Sequence, residues 1–301
     1  MRSLRLAAIV CFLTVLSLAQ IPRAQSPEEK TGKYLESVRH QPGLLLAFLQ
    51  QMPKGGDLHV HLSGAIYAES MIDWASESAL CVDRSTSKLI HAACDSCEPH
   101  KNKPSVRCAY QDHVLYNQLV DAWSMRNWHR EEESGHDHFF ATFDKFGPAL
   151  ENHIGEALAE VASRAAADRL QYVEVMHTVD GAQAAMLGDK IGWDIGSDMG
   201  SNDDFSKLRD KLLAGGIANV VASVRSQVDS DEARKKEMLH CGTAQTAPGC
   251  EVTIHYLYQV LRGLPREQVF AQILLGFELT KADPRFVGFN LVMPEIGRAH
   301  V

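Results

Sequence analysis

The chain lacks an excess of positive charge. Its 301 residues contain 30 Lys and Arg against 38 Asp and Glu, which gives a formal net charge of -8. Nucleic-acid phosphates are bound by clustered Lys and Arg, so this balance excludes a general nucleic-acid surface and leaves room only for a local basic pocket. The composition is also not that of an intrinsically disordered protein, because 45% hydrophobic and 23% charged residues are ordinary for a globular protein with a sizeable core.

An apolar run of membrane-spanning length is missing at the amino terminus. Residues 6–16 are apolar, but a transmembrane helix needs about 20 such residues. Two arginines precede the run and small residues follow it, which is the pattern of a secretory signal peptide. We therefore predict a signal peptide over residues 1–24, cleaved after Ala19 or Ala24. The protein is expected to be exported, to the periplasm or outside the cell, without a stable membrane anchor.

Cysteine usage agrees with export. Removal of the signal peptide leaves six cysteines, and an even number in an exported chain favours disulfides. Cys241 and Cys250 bracket a short loop and are predicted to pair. The other four, Cys81, Cys94, Cys97 and Cys108, have no readable connectivity. A zinc knuckle that starts at Cys94 and Cys97 is the alternative, which an oxidising compartment disfavours.

Two histidines near residue 60 carry the most informative pattern. Side chains alternate between faces in an extended strand, so His59 and His61 are predicted to share one face while Leu58, Val60 and Leu62 pack among apolar residues. Neutral imidazole is a preferred ligand of zinc. The sequence therefore predicts a strand that ends in a metal site.

Hydrophobic periodicity predicts alternating strands and helices in the rest of the chain. Residues 34–51 are predicted to be helical with a break at Pro42, after a flexible lead over residues 26–33, and residues 76–138 form an irregular insertion that contains four cysteines. Further predicted helices cover residues 150–169, 204–214, 252–264 and 267–281, and further strands cover residues 170–178, 217–226 and 286–292. This order indicates an α/β fold.

Several polar and aromatic residues have two interpretations. Phe139, Phe143 and Phe146 lie on one helical face, where the pattern alone favours a core over a wall that stacks on a ligand. His136 and His138 lie in polar sequence and are interpreted as solvated or capping residues, not as metal ligands. Glu174 lies among apolar residues, where a structural role is slightly favoured over a role in the site.

Three stretches resemble the adenosine deaminases. Residues 52–54 followed by 57–65 resemble the first metal-binding motif of that family, and residues 172–175 resemble its second barrel strand. The strand over residues 286–292 resembles the one that carries a substrate-facing glycine. The resemblance implies the (β/α)8 TIM-like barrel of the metal-dependent hydrolases, with only the first four strand–helix units present. It further implies Zn2+ as the cofactor, with His59 and His61 as metal ligands.

The resemblance also implies a set of substrate contacts. Phe139 and Phe143 match an aromatic helix that closes over the nucleoside in the family. Ser63, followed by Gly64, occupies a position where many adenosine deaminases have an acidic residue near the ribose. Met293 stands where the family pattern has a second glycine. Both departures leave the choice of purine open.

The activity implied is the zinc-dependent hydrolytic deamination of adenosine or deoxyadenosine to inosine or deoxyinosine and ammonia. The leader and the cysteine-containing insertion are similar to those of the secreted, growth-factor-like subgroup. Two alternatives remain: another deaminase of the superfamily that acts on adenine or a modified purine, and a non-catalytic nucleoside-binding or signalling relative. The expected partner is a small purine nucleoside, and a homodimer is among the assemblies that the sequence allows.

The carboxyl-terminal residues predict an unfinished reading frame. Residues 296–301 have no counterpart in the family and are interpreted as a non-native tail, which divides the chain into a signal peptide (1–24), a lead and helix (25–51), half a deaminase barrel (52–295) and this tail. The family's remaining metal ligands and its acid/base residues lie on later strands. The catalytic residues therefore stay unknown, and the chain by itself is expected to be inactive.

Overall fold

A computed structural model describes residues 24–131, 133–194 and 202–293. The predicted signal peptide lies outside these residues except for Ala24, and the predicted tail lies outside them entirely. The chain divides into two compact units, Met1–Met52 and Pro53–Val301.

Two helices form the described part of the first unit, α1 (Pro27–Val38) and α2 (Pro42–Gln51). The predicted break at Pro42 is confirmed, since this proline is the first residue of α2. The predicted flexible lead over residues 26–33 is wrong, because α1 begins at Pro27. A capping box explains this start: Ser26 Oγ accepts a hydrogen bond from the Glu29 amide, and the Glu29 carboxylate accepts one from the Ser26 amide.

The second unit alternates strands and helices. Its first part contains β1 (Gly55–His61), the short helix α3 (Leu62–Ala65), α4 (Ala68–Glu77), β2 (Cys81–Asp83), β3 (Lys88–Ile90), α5 (His113–Trp123) and α6 (Gly135–Phe146). Its second part contains α7 (Ile154–Ala167), β4 (Leu170–His177), α8 (Gln183–Ile191), α9 (Asn202–Leu212), α10 (Ala218–Met238), β5 (Thr253–Leu261), α11 (Arg266–Ala282) and β6 (Phe286–Val292).

The main sheet of the described residues has four parallel strands in the order β1-β4-β5-β6 and curls into half a barrel. The α/β class is therefore confirmed. Tyr256, Tyr258 and Val260 of β5 are buried on the face opposite to Gln259, since neighbouring strand residues alternate. Parallel strands all present their carboxyl ends at the same edge, which is where sites form in such sheets.

Two predicted elements are wrong: a predicted strand is a helix, and a predicted helix is a strand. Residues 217–226 belong mainly to helix α10, in which Val220, Val221, Val224 and Val228 are buried at helical spacing. Residues 252–264 contain strand β5, whose burial alternates with a period of two. In residues 217–226 tertiary packing outweighed the strand preference of the valines. In residues 252–264 the β-branched and aromatic residues themselves favour the observed strand, so the helix prediction was wrong on local grounds.

Disulfides hold the insertion and the loop before β5. Cys241 is bonded to Cys250, as predicted. In the insertion the pairs are Cys81 with Cys94 and Cys97 with Cys108, so these cysteines do not form the alternative zinc knuckle. The insertion also has regular structure, the antiparallel pair β2 and β3 and helix α5. Among the helices of the described ranges, none is long and apolar enough to cross a membrane.

Candidate functional site

The two histidines of β1 lie side by side at the carboxyl end of the strand. Their ring centroids are 5.2 Å apart and the rings are inclined at 69°. His61 is half-buried and His59 is exposed, and the backbone amide of His59 donates to Asp57 Oδ1 over 3.1 Å. The arrangement brings two imidazoles together on one face of the sheet, as alternation predicts.

Leu58 does not pack among apolar residues, and that part of the prediction is wrong. Its side chain is 59% exposed, whereas Val60 packs against the core and Leu62 is buried. The cause lies in the sheet, because β1 is an edge strand and its pairing with β4 shifts register between Asp57 and Val60. A shift of this kind changes the direction of the side chains within it.

A hydrogen-bonded chain connects His61 to two other strands. Nδ1 of His61 is 2.7 Å from Oε1 of Gln259 on β5. Nε2 of Gln259 donates to Thr178 Oγ1, directly after β4, over 3.3 Å. Gln259 is not among the site residues predicted from sequence, because residues 252–264 were predicted to be a helix. The alternation of apolar and polar residues in β5 is the signal that identifies it.

A cavity of about 580 Å³ opens at the turn that follows β1, and its lining begins two residues after His61, at Ser63. Its lining includes four residues predicted to contact substrate, Ser63, Gly64, Phe139 and Phe143. Gly64 connects the cavity to His61, because a Cβ placed on it would lie 3.3 Å from Phe143 Cζ and 3.8 Å from His61 Cβ. The turn after β1 and the aromatic helix α6 therefore form adjacent walls of one space.

The aromatic face of α6 lines the cavity with three rings of different exposure. Phe139 is 39% exposed and Phe143 is half-buried, whereas Phe146 is only 2% exposed. Phe139 and Phe143 meet edge to face with ring centroids 5.1 Å apart. The first two rings present apolar edges and faces to the cavity, with a geometry suited to a planar ligand.

Two arginines line the cavity, and each is paired. Both terminal nitrogens of Arg126 bind the Glu69 carboxylate at 2.5 Å, and this guanidinium lowers the pKa of Glu69. Arg164 lies over the ring of Tyr67, 4.3 Å from its centroid, and donates to the carbonyl of Ala65. Since Arg126 is paired with a carboxylate and Arg164 with a ring and a carbonyl, the cavity walls favour an uncharged ligand. The buried Nε of Arg164 has no hydrogen-bond partner among the described residues.

Met293 lies outside this cavity lining. Its carbonyl accepts hydrogen bonds from Nε and NH2 of Arg262 at 3.1 and 2.6 Å. Its side chain packs on Gly263, where an added Cβ would lie 3.0 Å from Met293 Cε. The structure thus brings together four of the five residues predicted to contact substrate.

The other polar residues considered from sequence have protein partners. His138 lies 3.0 Å from Glu133 through Nδ1 and 2.9 Å from the Ser124 carbonyl through Nε2. Glu174 accepts from the Tyr172 hydroxyl over 3.0 Å. His138 and Glu174 therefore both make hydrogen bonds within the protein, in agreement with a structural role.

The donor set at β1 fits part of a zinc site. Two neutral imidazoles are ligands that zinc prefers, but zinc takes four ligands in total. Within residues 24–131, 133–194 and 202–293, the structure contains no cluster of three or more His, Cys, Asp or Glu side chains that could hold a metal ion. His59 and His61 therefore offer two of the four ligands that zinc takes.

Comparison of the chain with protein-family models and with curated proteins gives no match.

Proposed function

We propose that the chain is the amino-terminal half of an exported, zinc-dependent purine nucleoside deaminase. The observation that carries the proposal is the position of Gly64, whose neighbours are His61 on one side and Phe143 of the cavity wall on the other. In a deaminase of this kind the metal and the ligand must be adjacent. His59 and His61 would hold zinc, which would supply Lewis-acid activation of water.

The cavity has properties suited to a nucleoside. Small-molecule sites typically measure about 300–1,000 Å³, and this one measures about 580 Å³. Phe139 and Phe143 offer aromatic surface for a flat heterocycle, while Ser63 offers a hydroxyl beside it. Arg126 and Arg164 are paired, which favours a neutral nucleoside over a phosphorylated one.

We further propose that the four strands are the first four of the eight-stranded barrel of the metal-dependent hydrolases. Within the described sheet β1 and β6 each have one neighbour, and unpaired edges are closed in a barrel by further strands. Export is supported by the three disulfides, because such bonds persist in oxidising compartments.

Adenosine deamination, followed as loss of adenosine absorbance, tests the proposal. We would compare this chain with a version extended to the stop codon of its source gene, each with and without His59→Ala. His100→Ala is the matched control, since His100 is an exposed histidine of the insertion. Activity in the extended protein alone, abolished by His59→Ala and retained by His100→Ala, is expected. An extended protein that binds zinc and leaves adenosine unchanged would refute the substrate assignment.

A further inference from the structure

The side chain of Gln259 does not contribute to the apolar core on which β5 packs. Its neighbours on β5, Tyr258 and Val260, are fully buried on the opposite face of the sheet, so Gln259 lies outside that core. On its own face it crosses β4, the strand between β5 and β1, to reach His61. Both ends of its amide are used, the oxygen by His61 and the nitrogen by Thr178.

The contact fixes where His61 carries its proton. A neutral imidazole has one N–H and one lone pair, and the group bonded to one nitrogen decides the role of the other. The amide oxygen of Gln259 faces Nδ1 at 2.7 Å and can only accept. With the Gln259 amide oriented as in the structure, Nδ1 donates, which leaves the lone pair on Nε2, whereas an unconstrained histidine in water favours the proton on Nε2.

We propose that Gln259 is a positioning residue that holds the proton of His61 on Nδ1 and keeps the Nε2 lone pair free beside His59. The tautomer follows from this hydrogen bond together with the orientation of the Gln259 amide. The use of that lone pair to bind zinc rests on the proposed function. Partners of this kind orient metal-binding histidines, and their loss typically weakens metal affinity by about 10–100-fold.

Thr178 anchors the amide in turn. It follows directly after β4, and its hydroxyl is the second partner of Gln259. Because β4 pairs with both β1 and β5, the three groups are connected through one continuous part of the sheet. Gln259 is therefore restrained at both ends of its amide, and so is the ring of His61.

Ring-nitrogen NMR of the metal-free protein, labelled with 15N-histidine at a pH where the imidazoles are neutral, tests the proposal. His61→Gln identifies the resonances of His61. We expect the Nδ1–H tautomer in the wild type and in Gln259→Glu, whose carboxylate also accepts. We expect the Nε2–H tautomer in Gln259→Leu. Gln171→Leu, at an exposed glutamine of β4, is the matched control and should leave the tautomer unchanged.

A second measurement uses zinc binding to the same variants by competition with a chelating dye. Gln259→Leu should weaken binding by about 10–100-fold, while Gln259→Glu and Gln171→Leu should not weaken it. An Nε2–H tautomer for His61 in the wild type would overturn the proposal even if Gln259→Leu failed to fold. If the tautomers change as expected but no variant binds zinc, the positioning role stands and the zinc part of the proposed function is what fails.

Discussion

Two phenylalanines one helical turn apart allow the cavity to be separated from the core. Both line the cavity, but Phe143 is half-buried, whereas Phe146 is only 2% exposed and belongs to the buried core. Truncation of a fully buried Phe to Ala costs about 3–5 kcal/mol of unfolding free energy. We therefore expect about that loss for Phe146→Ala and roughly half of it, ~2 kcal/mol, for Phe143→Ala.

Phe146→Ala should have the larger effect on stability, whereas Phe143→Ala should have the larger effect on ligand affinity. Stacking of a base on an aromatic side chain contributes about 1–3 kcal/mol, which corresponds to a change of about 5–150-fold in affinity. Phe143→Ala should weaken adenosine binding by a factor in this range. Phe146→Ala should change it less as long as the protein remains folded, because only 2% of this lining residue is exposed to a ligand.

Urea denaturation gives the stabilities, and calorimetric titration with adenosine gives the affinities. Thr142→Ala provides a further control, because Thr142 is also a buried residue of α6 but carries no ring. The reasoning is refuted if Phe143→Ala destabilises the fold as much as Phe146→Ala does and leaves adenosine binding unchanged. Phe143 would then be a core residue, as the pattern of the sequence alone favours.

Three further predictions concern stability. Asp283 is 4% exposed, and a hydrogen bond from Arg285 lowers the pKa of its carboxyl below the usual 3.8. The contribution of this carboxylate to the free energy of unfolding is therefore present above pH 3.8 and is lost as the pH falls through the lowered value. Asp283→Asn should cost about 1–3 kcal/mol at pH 7 and flatten the acid dependence in urea melts, and an unchanged slope below pH 4 would contradict this. Replacing Cys241 and Cys250 by Ser opens a loop with a sequence separation of 9 and should lower the free energy of unfolding by about 2.5 kcal/mol on the chain-entropy model. Equal melting temperatures of the variant and the oxidised wild type would contradict this. Gly188→Ala should destabilise by about 1–3 kcal/mol, since its Cβ would lie 2.4 Å from a backbone carbonyl of α11, while Gly147→Ala, with nothing within 4 Å, should stay near wild type in differential scanning fluorimetry.

Local signals were sufficient where a segment's own residues decide its structure. The break before α2 follows from Pro42, which fixes its own backbone angle and lacks an amide hydrogen. The pairing of Cys241 with Cys250 follows from the short loop between them. The shared face of His59 and His61 follows from the period of a strand. In each case the interaction spans few residues, so the sequence alone contains the necessary information.

Tertiary structure decided what depends on distant partners. Valine-rich residues at the start of α10 are β-formers by type, yet they are helical because that spacing buries them against neighbouring helices. The exposure of Leu58 depends on the register between β1 and β4, which no local pattern specifies.

The candidate site divides in the same way. The sequence by itself determined the two imidazoles and, through the family resemblance, the residues of two walls of the cavity. Only the fold brought Gly64 against Phe143 and carried Gln259 across β4 to His61. These contacts join residues far apart in the chain, since 198 positions separate His61 from Gln259. Their geometry depends on strand order and register, which result from the packing of the whole sheet and its helices.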